Sequence, residues 1–116
     1  MKISKELIKG STALLVLSVL KEGDLYGYKI IKELEDRSEK VFELKEGTLY
    51  PILHALEQEN CLEAYWQEFD GRKRKYYHIT KKGEKKLAEK QSEWKLYSAS
   101  VDKVLGFSMR NAQLRT

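Results

Sequence analysis

The chain has 116 residues, 34% of them charged against roughly 25% in an average domain, and a net charge of +4. That length fits one domain with a modest core, and the basic excess points to an acidic partner only if the cations cluster. The single cysteine, Cys61, excludes an intrachain disulfide scaffold, and the longest apolar run, Ala13 to Leu17, is far too short to cross a bilayer.

The N-terminal MKISKELIKG has no continuous apolar run after its lysines and no lipidation signal, so a cytoplasmic chain without membrane contact is expected. A first helix is predicted over about Lys5 to Lys21. Leu14, Leu15, Val16, Leu17, Val19 and Leu20 make its second half apolar nearly all round, so it should be buried on more than one side. Gly23 suits the position after its end, and Asp24 the cap of the next helix. That second helix should run from about Tyr26 to Arg37, with Ile30, Ile31 and Leu34 on its apolar face. Val41 and Phe42 then offer a short extended piece.

The stretch EGTLYPILHALEQEN, Glu46 to Asn60, predicts a third helix. Leu49, Ile52, Leu53 and Leu56 follow the spacing of one buried face, while Gly47, Pro51, His54 and Gln58 fall opposite it. Pro51, the sole proline, is tolerable if the helix starts near Thr48, where its missing N–H costs at most one hydrogen bond. Asn60 should end the helix in the left-handed conformation. The exposed N-terminal residues Thr48, Tyr50, Pro51 and His54 are then placed to enter a DNA major groove, unless they are ordinary surface.

LEAYWQEF, Leu62 to Phe69, is rich in aromatic residues and reads as a strand. Asp70-Gly71 is a hairpin turn signal, and RKRKYYHIT returns as the partner strand. The four cations Arg72, Lys73, Arg74 and Lys75 are expected at the hairpin tip, where phosphates would offset their mutual repulsion. A last helix should start at the cap Thr80 and run to about Leu105. Leu87, Trp94 and Val101 repeat every seven residues, and Tyr97 and Val104 follow the last two of these by three, giving a short a/d seam. Gly106 to Thr116 reads as a frayed tail.

Helix, helix, helix, hairpin, long helix is the order of a winged helix-turn-helix. LYGYKIIKEL, EGTLYPILHALEQENCLEAYW and GRKRKYYHITKKGEKKL also resemble the winged-helix domain of PadR-type transcriptional regulators, over about Leu14 to Leu87. Asn60 stands where that family usually has glycine. The chain has room for one terminal helix, as in the family's short subgroup. The resemblance implies a mainly α fold with a β-hairpin: a DNA-binding domain over 1–79, a dimerisation helix over 80–106 and a disordered tail over 107–116. It implies a homodimer on a palindromic operator, acting as a repressor. Tyr26 resembles the family tyrosine that contacts phosphate. With Lys45, Thr48, Tyr50, Pro51, His54 and Arg72 to Lys75 it makes up the expected DNA surface.

Leu14, Leu17, Leu87, Trp94, Val101 and Val104 are the expected dimer contacts, because the long helix carries more apolar surface than so small a domain covers. The resemblance further implies that Trp94, with Tyr97, Leu14 and Ser18, lines a cavity at the dimer interface for a planar hydrophobic or phenolic effector. The plainer reading makes Trp94 a packing anchor without a ligand. No cofactor and no enzyme activity are expected. His54, Cys61 and His78 match no zinc spacing, and no nucleophile or phosphate-loop motif is present. The competing expectation from another class is a winged-helix module that binds an acidic protein partner instead of DNA.

Overall fold

The computed structural model describes residues 2–107. In chain order these form α1 (Lys5–Lys9), α2 (Thr12–Lys21), β1 (Leu25–Tyr26), α3 (Gly27–Arg37), α4 (Glu46–Gln58), β2 (Leu62–Phe69), β3 (Arg72–Ile79) and α5 (Lys81–Leu105). The sheet is antiparallel with order β1-β3-β2, and the order of helices and hairpin is that of a winged helix-turn-helix. The tail expected beyond Phe107 lies outside the described residues.

The first helix is broken in two. The Ser11 and Thr12 hydroxyls both bond the Ile8 carbonyl, at 3.0 and 3.1 Å, which ends α1 at Lys9 and lets α2 begin afresh at Thr12. Val16, Leu17, Val19 and Leu20 of α2 meet Ile30 and Leu34 of α3 and Leu49, Leu53 and Leu56 of α4 in one core. Leu62, Tyr77 and Ile79 of the sheet and Leu87 of α5 close it. Leu17 and Leu87 are 0% and 1% exposed within a single protomer, so both are core residues and neither has surface left for the dimer contact expected of it.

α4 ends as expected. Asn60 has φ 63°, its N–H bonds Glu57 O at 2.9 Å, and Cys61 N–H reaches Leu56 O at 2.9 Å, a paired arrangement that satisfies the last carbonyls. Its start differs. The helix begins at Glu46 rather than near Thr48, so Pro51 is its sixth residue and lies beyond the first turn. The missing donor would have bonded the carbonyl of Gly47, on the exposed face, where water can replace it.

Val41 and Phe42 form no strand; Phe42 N–H instead bonds the Ser38 hydroxyl at 2.9 Å. The third strand is β1, which pairs Leu25 with Tyr77 and Tyr26 with Tyr76. The cap of α3 is Tyr26, and not the Asp24 expected from the sequence. At the far end, Thr80 caps α5 by accepting from Gly83 N–H at 3.0 Å and donates to Asn60 O at 2.7 Å, which ties the long helix to the end of α4.

Candidate nucleic-acid interface

The hairpin positions the cations. Asp70 and Gly71 take φ values of 52° and 72°, the two left-handed residues of a type I′ turn, so the tip itself is DG. Arg72 to Lys75 therefore lie in β3 and not on the loop. Strand alternation sends them to opposite faces, which separates like charges that the sequence alone crowds together. Arg72 and Arg74 share a face with Tyr76, and Lys73 and Lys75 share one with Tyr77.

The arginine face carries an aromatic row. Tyr26 meets Tyr76 edge-on at 5.5 Å, and Tyr76 stacks on Tyr65 at 5.7 Å. The Arg74 guanidinium lies 4.4 Å from the centre of the Tyr26 ring, a cation–π contact that holds both groups at the wing's root. Beyond this row, Asp24 receives the Tyr65 hydroxyl at 2.6 Å and lies 2.8 Å from His78 Nδ1. Burial raises the Asp24 pKa, but the bonds from Tyr65 and His78 outweigh it and hold the carboxyl below its ordinary value. The same bond to Asp24 pushes Tyr65 up to about 12. Asp24, expected as a helix cap, thus fastens the α2–β1 turn to both wing strands.

On the lysine face, Lys75 reaches Glu57 of α4 at 3.7 Å, an ion pair that links wing to helix. Trp66 stands opposite Lys75 in the register.

The two faces meet α3 and α4 at a cleft of about 590 Å³. Its walls come from Tyr26, Gly27, Tyr28, Tyr50, Trp66, Arg72, Arg74, Lys75 and Tyr77. Of the expected DNA-contact residues, the structure brings Tyr26, Tyr50, Arg72, Arg74 and Lys75 to this one place. Lys45, Thr48, Pro51 and His54 are exposed along α4 and its entrance but do not line the cleft. Lys73 is exposed on the wing, opposite Glu68.

Tyr50 is more constrained than its place on an exposed flank implies. A Cβ at Gly27 would lie 2.4 Å from the Tyr50 hydroxyl oxygen and 2.9 Å from Cζ, so the ring rests on the bare backbone at the start of α3. Sequence reasoning also missed Trp66 and Tyr28. Trp66 stands between Tyr65 and Gln67 and Tyr28 between Gly27 and Lys29, and nothing local to either says which face of strand or helix it takes.

The second group of expected residues gathers elsewhere. Leu14, Trp94 and Tyr97 line a cleft of about 630 Å³ between α1–α2 and α5, together with Leu7, Gly10, Ser11 and the charged Glu6, Lys90 and Glu93. Ser18, one turn beyond Leu14, does not line it. Trp94 and Tyr97 lie 6.1 Å apart and are 47% and 61% exposed. Among the described residues, no three of His, Cys, Asp and Glu stand close enough to hold a metal. No described helix is long and apolar enough to cross a membrane.

A family model, the transcriptional regulator PadR-like family, matches residues 16–89, which runs from within α2 through the wing to the start of α5. The chain belongs to the PadR family. A transcriptional regulator from Clostridium thermocellum has a similar structure, with a TM-score of 0.81 and 34% identity over 85% of this chain and 97% of that one. A PadR family transcription regulator from Clostridium difficile shows 35% identity, a TM-score of 0.72 and coverage of 83% and 99%. An uncharacterised protein from Lysinibacillus sphaericus is 37% identical over 101 residues, 86% of this chain and 93% of that one. Both of these solved structures are of transcriptional regulators, not enzymes, and this chain is a transcriptional regulator of the PadR family.

Proposed function

We propose that this regulator acts as a homodimeric repressor that binds a palindromic DNA operator through the cleft face. The observation that carries the reading is the convergence on one surface of the N-terminal end of α3 and Tyr50 of α4 with Arg72, Arg74 and Lys75 of the wing, with no carboxylate among the residues that line it. α4 enters the major groove by its exposed residues Thr48, Tyr50, Pro51 and His54, with Lys45 beside a phosphate. Tyr26 and the wing cations hold the backbone that flanks the groove. Residues 1–79 read DNA, and the helix over 80–106 pairs the protomers.

Support for the dimer comes from α5. It is roughly 38 Å long, and beyond Leu87 it has no core to cover it. Trp94, Tyr97, Val104 and Leu105 are exposed on it, and a second protomer would bury them. Trp94, Tyr97 and Leu14 form half of an effector cavity that the partner completes, and a planar hydrophobic or phenolic compound held there better in one arrangement of the DNA-reading heads shifts the protein toward it. The protein works in the cytoplasm.

The test is the salt dependence of DNA affinity. Arg72→Ala with Lys73→Ala should weaken binding to all sequences alike and flatten the slope of log affinity against log salt by roughly one unit per lost phosphate contact. An unchanged slope would remove the wing from the interface.

A further inference from the structure

Trp66 lies beyond the core and beside the cleft. Along β2, Leu62 is buried and Ala64 half-buried on the face that packs on the helices. Trp66 is the next residue on that face, past the edge of the core and 67% exposed. A ring of that size beside a cleft offers a partner a large apolar surface to cover. Around it the cleft offers Tyr26 and Tyr50 as further flat walls and Arg72, Arg74 and Lys75 as charge. Glu68 is the nearest carboxylate along its face of the strand, and it stands opposite Lys73. An occupant must therefore present negative charge and apolar surface together, within a few ångströms. The strand of a duplex does so at every step, phosphate next to deoxyribose.

We propose that Trp66 is a DNA-contact residue of the wing, its indole packed against the sugars of the strand whose phosphates the wing cations hold. The inference rests on the DNA-binding reading above and adds a component that charge does not supply. Phosphate contacts release counterions and set the salt slope; an apolar contact releases none and leaves the slope alone. Trp66 thus supplies a salt-independent share of the affinity, while Arg72, Arg74 and Lys75 supply the salt-dependent share.

The experiment titrates the full-length protein, Trp66→Ala and Trp66→Phe against labelled duplex from upstream of its own gene, at several salt concentrations, by fluorescence anisotropy. Trp66→Ala should lose roughly tenfold in affinity at every salt with an unchanged slope, and Trp66→Phe should recover most of the loss. Tryptophan emission should change on adding DNA to the wild type and not to Trp66→Phe, although Trp94 is present in both. Because the ring is exposed, thermal melting of both variants should match the wild type. A Trp66→Ala affinity within about twofold of wild type, or a slope that falls as it does for Arg72→Ala, overturns the proposal and leaves the DNA-binding reading standing. Failure of the wild type itself to bind any duplex overturns that reading, and this one with it.

Discussion

Gly27→Ala tests whether the Tyr50 ring is positioned by the backbone of α3. The added methyl would meet the Tyr50 hydroxyl oxygen at 2.4 Å, Cζ at 2.9 Å and Cε1 at 3.3 Å, so ring and methyl cannot share the space. Two effects compete. Overpacking costs about 1–3 kcal/mol, at the low end here because Tyr50 is already 36% exposed and its ring is free to swing outward. Replacing a helical glycine returns roughly 0.5–1 kcal/mol of backbone entropy. The net should be a loss of about 1 kcal/mol or less, or roughly 4 °C in melting temperature followed by circular dichroism at fixed protein concentration. DNA affinity should fall further than stability does, because the ring leaves the cleft. The double-mutant cycle with Tyr50→Ala isolates the contact. With the ring gone, Gly27→Ala should be neutral or slightly stabilising. A Gly27→Ala loss that is equally large in the Tyr50→Ala background would refute the ring-on-glycine account.

Asp24→Asn should loosen the wing's root, with a definite pH signature. The Asp24 carboxyl sits below its ordinary value, so its stabilisation is present above the unfolded pKa and lost as pH falls through the folded one. The stability gap between wild type and variant, seen in urea melts at neutral pH, should close in acid. Tyr65 runs the other way. Raised to about 12, it stabilises below its unfolded pKa near 10 and loses that contribution as pH climbs toward 12, so alkaline melts of wild type and Asp24→Asn should also converge. Leu87→Ala, which hollows a fully buried site, should cost about 2–5 kcal/mol in chemical denaturation. Val104→Ser, at a residue 87% exposed, should leave the fold intact and weaken self-association measured by sedimentation.

The parts of the fold with strong local chemistry were legible in the sequence. Asp70-Gly71 can hardly do anything but turn, Asn60 tolerates the left-handed conformation it takes, and Thr80 caps the helix it precedes. The four leucine and isoleucine positions of α4 mark its buried side. What local pattern could not carry is set by partners distant in the chain. β1 is two residues long and exists because Tyr76 and Tyr77 pair with it. Asp24 caps no helix because Tyr65 and His78, more than forty residues away, claim its oxygens. Leu17 and Leu87 read as dimer contacts because neither the all-round apolarity of the first helix nor the heptad count of the last reveals that both residues are buried in the protomer's own core. The cations looked like a loop because their alternation across β3 depends on where the turn ends, a matter of one residue. Tyr50 and Trp66 show the same limit at the site: neither has a cation beside it in the sequence, and only the fold brings both to one cleft with Arg72, Arg74 and Lys75.

The central claim is that this face reads a specific DNA sequence. The most direct measurement titrates the purified protein by fluorescence anisotropy against duplex DNA from upstream of its own gene, with scrambled duplex alongside, across a range of salt. Tight binding with a clear preference over the scrambled duplex, and an affinity that falls as salt rises, is the predicted result. Equal, weak binding to both duplexes would contradict it and turn attention to an acidic protein as the partner of the wing.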